Sequence, residues 1–157
     1  MKSLFYILFI FALGLMYSCR QNTTTNEEGI GYTEYINSKQ LEKVVISKYP
    51  SGQEKAVVFI DKADAEKQPV KELHFFENGN LQVEGTLKNA QRHGIWTFYH
   101  DNGNIWSTGR FENGKSVGIF HIYDKEGQIK YKYHYRNDSI VKEEYFVKGK
   151  LYKTVDS

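Results

Sequence analysis

The only thiol in this 157-residue sequence is Cys19. A single cysteine cannot close an internal disulfide, so in an exported chain it is a stray nucleophile unless something modifies it. The histidines at positions 74, 93, 100, 121 and 134 are the next candidates for chemistry. None stands in a His-x-His or His-x3-His pairing, and no cysteine follows position 19, so the spacing of a zinc site is absent. Glu143-Glu144 is an adjacent carboxylate pair, and Glu77, Asp101 and Asp124 recur at nearly equivalent places, as hairpin-turn acids do. No Gly-x-Ser-x-Gly elbow, phosphate-binding loop or dinucleotide fingerprint occurs. The inventory predicts no catalytic residue, no cofactor and no metal, and argues against an enzyme.

Aromatic side chains carry more information. Of the 24 Phe, Tyr and Trp residues, five lie in the first eighteen positions and 19 follow. Many sit at alternate positions: Trp96 with Phe98, Ile105 with Phe111, Phe120 with Ile122, and Tyr131 with Tyr133 and Tyr135. Trp96, Phe98, Phe111 and Phe120 are expected to form the core. Tyr99, Trp106, Tyr123, Tyr131 and Tyr133 are the candidate binding surface, since exposed Tyr and Trp rings offer apolar area with a polar handle to a protein strand or a glycan.

The elements that position these rings follow from a 24-residue echo. Phe75-Phe76-Glu77-Asn78-Gly79 aligns with Tyr99-His100-Asp101-Asn102-Gly103 and with Tyr123-Asp124-Lys125-Glu126-Gly127. In the same frame Leu81 matches Ile105 and Ile129, Gly85 matches Gly109, Gly94 matches Gly118, and Trp96 matches Phe120. A shortened copy follows at Tyr145 and Gly149, and a degenerate one precedes at Tyr49-Pro50-Ser51-Gly52. Asn-Gly at 78-79, 102-103 and 113-114 predicts type I′ hairpin turns. Between the turns the period is two: Leu81, Val83 and Leu87 oppose Gln82, Glu84, Thr86 and Lys88, and residues 128–136 alternate throughout. That is strand periodicity. Strands are predicted near 41–49, 54–61, 72–77, 81–88, 94–101, 104–112, 117–124, 128–136, 140–147 and 150–154, with residues 62–71 a charged loop with room for one helical turn. The simplest topology is an antiparallel meander of stacked hairpins, an all-β single elongated twisted sheet.

The N-terminus reads as an address. After Lys2 comes an uncharged, Leu/Phe/Ile-rich run to Ser18, the pattern of a signal peptide and shorter than the roughly 20 residues of a spanning helix. Leu15-Met16-Tyr17-Ser18-Cys19 resembles the lipobox of bacterial lipoproteins, although Met16 stands where that family favours Leu and Tyr17 where it favours a small residue. The resemblance implies cleavage before Cys19 and a lipid on its thiol, which gives the membrane as one partner. Arg20 in place of the inner-membrane retention Asp implies the outer membrane of the cell envelope in a Gram-negative cell. Three segments follow: a signal peptide over 1–18, a lipidated flexible tether over 19–40 with a reach on the order of 25 Å, and a hairpin-repeat domain over 41–157, best repeated over 72–152. The processed chain would carry 20 Lys and Arg against 19 acids, a balance that gives no reason to expect nucleic acid as a partner.

The unit Gly94-Ile95-Trp96-Thr97-Phe98-Tyr99 running into Asn102-Gly103-Asn104-Ile105, repeated from Gly118 to Ile129, resembles the MORN-repeat variant of small exported bacterial proteins and the antitoxin-like YwqK group that shares it. The third full copy has Tyr133 for Gly85 and Lys142 for Gly94, so the array is expected to bend or be capped there. The resemblance implies a scaffold that binds a cell-envelope protein or polysaccharide. The alternative is an immunity or antitoxin protein that caps a toxin with its sheet.

Overall fold

A computed structural model of the chain describes Ile36 and residues 39–157. The signal segment, Cys19 and nearly all of the tether lie outside the described residues.

Ten strands form one antiparallel meander in which every strand pairs with its sequence neighbours. They are β1 (Leu41–Lys48), β2 (Glu54–Asp61), β3 (Pro69–Phe75), β4 (Leu81–Lys88), β5 (Gln91–Tyr99), β6 (Ile105–Glu112), β7 (Lys115–Tyr123), β8 (Ile129–Arg136), β9 (Ser139–Val147) and β10 (Lys150–Asp156). The sheet is open: β1 and β10 do not pair with each other.

Two kinds of turn alternate. At one end of the sheet, residues 49–53, 76–80, 100–104 and 124–128 form five-residue loops closed by hydrogen bonds such as Gly79 N to Phe76 O (2.9 Å) and Phe76 N to Asn80 O (2.8 Å). Only the glycine of each loop has positive φ: Gly52, Gly79, Gly103 and Gly127 at 82–88°. The Asn-Gly steps at 78-79 and 102-103 are therefore not type I′ turns. A longer loop needs one left-handed residue rather than two, and the asparagine is freed for another task. Asn78 Oδ1 accepts from the Asn80 backbone (2.9 Å), while Asn78 and Asn80 both donate from Nδ2 to the Asp101 carbonyl in the next loop (2.9 and 2.8 Å). Asn102 and Asn104 repeat this toward the Lys125 carbonyl (3.0 and 2.7 Å). Successive repeats are thus stitched together at their loops.

The other end carries two-residue turns with both residues left-handed, Asn89-Ala90, Asn113-Gly114 and Asn137-Asp138; back at the first end, Lys148-Gly149 joins β9 to β10 by a turn of the same kind. These are type I′. Because they are so short, β5, β7 and β9 begin earlier than the periodicity suggested, at 91, 115 and 139. Residues 62–68 form no helical turn. Asp61 and Asp64 instead cap successive bends through Ala63 N (3.0 Å), Glu66 N (3.1 Å) and Gln68 N (3.1 Å).

The aromatic core lies on one face, while Val57, also wholly buried, shares the other face with its cross-strand partners Val45 and Leu73. Trp96 is wholly buried, and Leu87, Phe111 and Phe120 join it with Val83, Phe98, Tyr133 and Tyr135 packed alongside. Rings interlock edge to face from Trp96 to Phe111 (6.0 Å), Phe111 to Phe120 (5.4 Å) and Phe120 to Tyr135 (4.8 Å). Space for them comes from Gly85 and Gly109, the cross-strand neighbours over which the Trp96 and Phe120 rings lie. Trp96 Nε1 also donates to the Thr86 carbonyl (3.0 Å), so its polar atom is buried with a partner. Above the rings the Arg92 guanidinium sits 4.4 Å from the Trp96 centroid and 5.3 Å from that of Phe111, a cationic cover for a core with no second layer.

Gly94 (φ 91°) and Gly118 (φ 69°) mark wide irregularities in β5 and β7. The matching place in β9 is Lys142, and the irregularity shrinks there to a single residue between the Lys142 and Ile140 pairs. The C-terminal hairpin is therefore a straighter variant of the repeat.

Candidate binding surface

Cross-strand partners share a face, so the register sorts the side chains. One row on the core face runs Val83, Phe98, Ser107, Ile122, Tyr131, Tyr145 and Lys153, each paired with the next. Apart from buried Ser107 and exposed Lys153, its members are half-buried. Among the described residues no second layer covers this row. The opposite face carries a polar row: Glu84, Thr97, Thr108, His121, Lys132, Glu144 and Thr154.

The five candidate rings do not share one side. Tyr131 and Tyr133 stand on the core face, nearly parallel with centroids 5.8 Å apart, and Tyr131 meets Tyr145 edge-on at 5.4 Å. Tyr133 also packs against the core cluster. Trp106 is the extra residue of a β-bulge between the Phe98–Ser107 and Tyr99–Ile105 pairs. It stays 47% exposed with its ring edge-on to Phe98 (6.2 Å) and near His100 (6.5 Å). It therefore extends the row of Phe98 and Tyr131.

Tyr99 and Tyr123 occupy the polar face. The bulge after each five-residue loop throws Leu81, Ile105 and Ile129 to that side, where they pair with Phe75, Tyr99 and Tyr123. Simple alternation had grouped Leu81 with Val83, and Ile105 with Phe111; the extra residue in each bulge reverses both. Tyr123 stacks on His121 (6.4 Å), and its carbonyl is within hydrogen-bond distance of His100 Nε2 (3.0 Å). Tyr99 donates its hydroxyl to Glu84 (2.6 Å). Burial, then the Glu84 hydrogen bond and charge, push the Tyr99 hydroxyl up to about 12.

That shift has a readable sign. The folded state holds the phenolic proton more tightly than the unfolded chain does, so the stabilisation is complete below pH 10 and is lost as pH rises from 10 to about 12. Spectrophotometric titration is expected to show one tyrosine ionising late, and Glu84→Gln to bring it back toward the ordinary value. An unchanged titration curve in that variant would remove Glu84 from the account.

Tyr145, Phe98 and Ile122 complete the core-face row but were not among the sequence candidates. The strict 24-residue offset equates Tyr145 with His121 of the polar face, because β9 lacks the wide irregularity of β5 and β7 and is out of step by one residue. Its own alternation, Glu143 and Tyr145 against Lys142, Glu144 and Phe146, is the signal that places it. Tyr145 donates to Glu143 (2.5 Å), and that bond, with burial second, holds its hydroxyl above the ordinary value. Burial raises Tyr133 as well, with the Glu143 charge second. Both hydroxyls are therefore neutral donors at physiological pH.

A one-layer sheet of stacked hairpins, stitched loop to loop and bearing an uncovered row of rings, defines a repeat scaffold. The family model described as the MORN repeat variant matches three consecutive segments, residues 70–89, 92–115 and 117–137. These are the β3–β4, β5–β6 and β7–β8 hairpins, and the match stops where β9–β10 replaces the five-residue loop by a two-residue turn. No curated protein matches the sequence. Among solved structures, similarity is found to the Glycosylation Associate Protein (Gap123) complex from Streptococcus agalactiae, at TM-score 0.43 and 17% identity over 68% of this chain. A second is the crystal structure of TarM, at TM-score 0.33 and 11% identity over 85% of this chain. This chain spans only 18% and 23% of the lengths of those two.

Proposed function

We propose that the protein is an exported lipoprotein, held in the cell envelope by lipid on Cys19, whose repeat sheet is a non-catalytic scaffold for another envelope component. The observation that carries the binding role is the uncovered row Phe98, Trp106, Ile122, Tyr131 and Tyr145 on the core face. Mixed aliphatic and aromatic side chains suit a protein segment better than a polysaccharide, which asks for rings ranked beside dense hydrogen-bonding groups. A photo-cross-linking residue placed in living cells at Trp106, Tyr131 or Tyr145 is expected to yield one common adduct. The same residue at Thr108 or Lys132, on the polar face, is expected to yield none. Adducts from the polar face alone, or none from any position, would refute the surface; an adduct digested by polysaccharide hydrolases would identify a glycan instead.

The anchoring is a separate reading and has a separate check. Cys19→Ala is expected to abolish incorporation of a labelled fatty acid and to release the protein from the outer-membrane fraction. Persistent label in that variant would place the lipid elsewhere, and the absence of label in the wild type would reject the lipoprotein reading.

A further inference from the structure

Both edges of the sheet end in strands whose outer backbone groups pair with no other strand among the described residues. Unpaired N–H and C=O rows template further pairing, and edge strands commonly carry charge to prevent it. Here apolar exposure is concentrated at these edges. Of the nine large apolar side chains left exposed among the described residues, four lie in these two strands, Val45 and Ile46 in β1 and Leu151 and Tyr152 in β10, and a fifth, Val147, ends the adjoining β9. The sheet also has an even number of strands. A copy in the same orientation therefore presents a β1 that runs antiparallel to β10, and the meander can continue from one molecule into the next.

We infer that β10 of one molecule pairs with β1 of a second copy, so that the protein assembles edge to edge into longer sheets. Charge selects this pairing over its rivals. The β10 edge carries Lys148, Lys150 and Lys153 with Asp156 alone in opposition, so two β10 edges repel. On β1, Lys43 is engaged by Glu54 (2.5 Å), and the remaining charges, exposed Glu42 and Lys48, offset each other, so this edge lacks the positive excess of β10. Glu42 pairs with Ile60 and Lys153 with Tyr145, register positions that both belong to the core face. Placing Lys153 opposite Glu42 sets Leu151 and Tyr152 against the Lys43–Val45 stretch and buries the exposed apolar groups. An interface between two different edges does not close on itself and generates open chains rather than fixed dimers.

This inference goes beyond the scaffold reading and does not depend on it, since the ring row is untouched by edge pairing. The full chain in detergent micelles, followed by sedimentation across rising concentration, is expected to show dimers and then longer species. Leu151→Lys with Tyr152→Lys blocks one edge, and Glu42→Lys with Ile46→Lys blocks the other. These side chains are exposed, and unchanged thermal midpoints would confirm that the variants fold. Each variant alone is expected to stay monomeric. Mixed together, they retain one intact pair of edges and are expected to form dimers and nothing longer. Monomers at every concentration of wild type, a dimer insensitive to the β1 block, or oligomers insensitive to both blocks would each overturn the proposal.

Discussion

Trp96→Ala is expected to be the most destabilising single truncation in the sheet, costing about 3–5 kcal/mol and lowering the thermal midpoint by on the order of 10 °C. Three consequences of the substitution act together. The ring is wholly buried, so its removal leaves a cavity rather than an exposed patch. The Thr86 carbonyl loses the indole donor, and an unpaired buried acceptor carries its own penalty. The Arg92 guanidinium and the Phe111 edge lose the surface they rest on. In a two-layer domain the opposite layer can relax into such a void; no second layer covers this core among the described residues. Urea denaturation of the wild type and the variant tests this. A loss below about 1 kcal/mol, no more than an average point substitution costs, would mean that the stacked rings are not the core.

Much of this was legible in the sequence because a repeat reports its own geometry several times over. The 24-residue offset located the five-residue loops at 76–80, 100–104 and 124–128, the loop at 49–53 lying 27 residues before the first of them, and alternation located ten strands in the order in which they pair. What escaped has a common physical origin in single inserted residues. A dipeptide such as Asn78-Gly79 states that a turn occurs but not how many residues close it, and loop length decides whether one or two residues must be left-handed. The turns Asn89-Ala90 and Asn137-Asp138 escaped for the converse reason: Ala90 and Asp138 adopt positive φ because a two-residue loop requires it, with no glycine to announce the need. The bulge at Trp106 carries it to the side of Phe98 and leaves Ile105 on the other. Parity along the chain is thus a reliable guide to face only between bulges.

The same repeat geometry explains where the sheet can tolerate change. Along one level of the core face, Gly85, Trp96 and Gly109 follow one another across the strands, and the Phe120 ring lies over Gly109. Small and large side chains alternate because a ring that leans back over the preceding strand occupies the space of that strand's side chain. The level ends at Tyr133, opposite Phe120 on one side and Glu143 on the other, where bulk returns to the glycine position. The core is therefore graded, from interleaved rings and glycines in the middle repeats to tyrosines at the C-terminal end.

Gly109→Ala is the sharpest test of that packing, because its sign depends on a second residue. A Cβ at this position would lie 2.3 Å from Phe120 ring carbons, far inside contact distance. The ring cannot swing aside, being held edge-on by Phe111 and Tyr135. Forcing one carbon into the core is expected to cost roughly 1–3 kcal/mol or more. Yet Gly109 has no positive φ and needs its lack of a side chain only for space. In a strand interior, alanine without a clash is favoured over glycine by roughly 0.5–1 kcal/mol, because it has less conformational freedom to lose on folding. The substitution is therefore expected to be strongly destabilising in the wild type and neutral or stabilising in a Phe120→Ala background. A double-mutant cycle read by denaturant unfolding measures the difference. Additive effects in that cycle would show that the glycine serves the backbone rather than the ring.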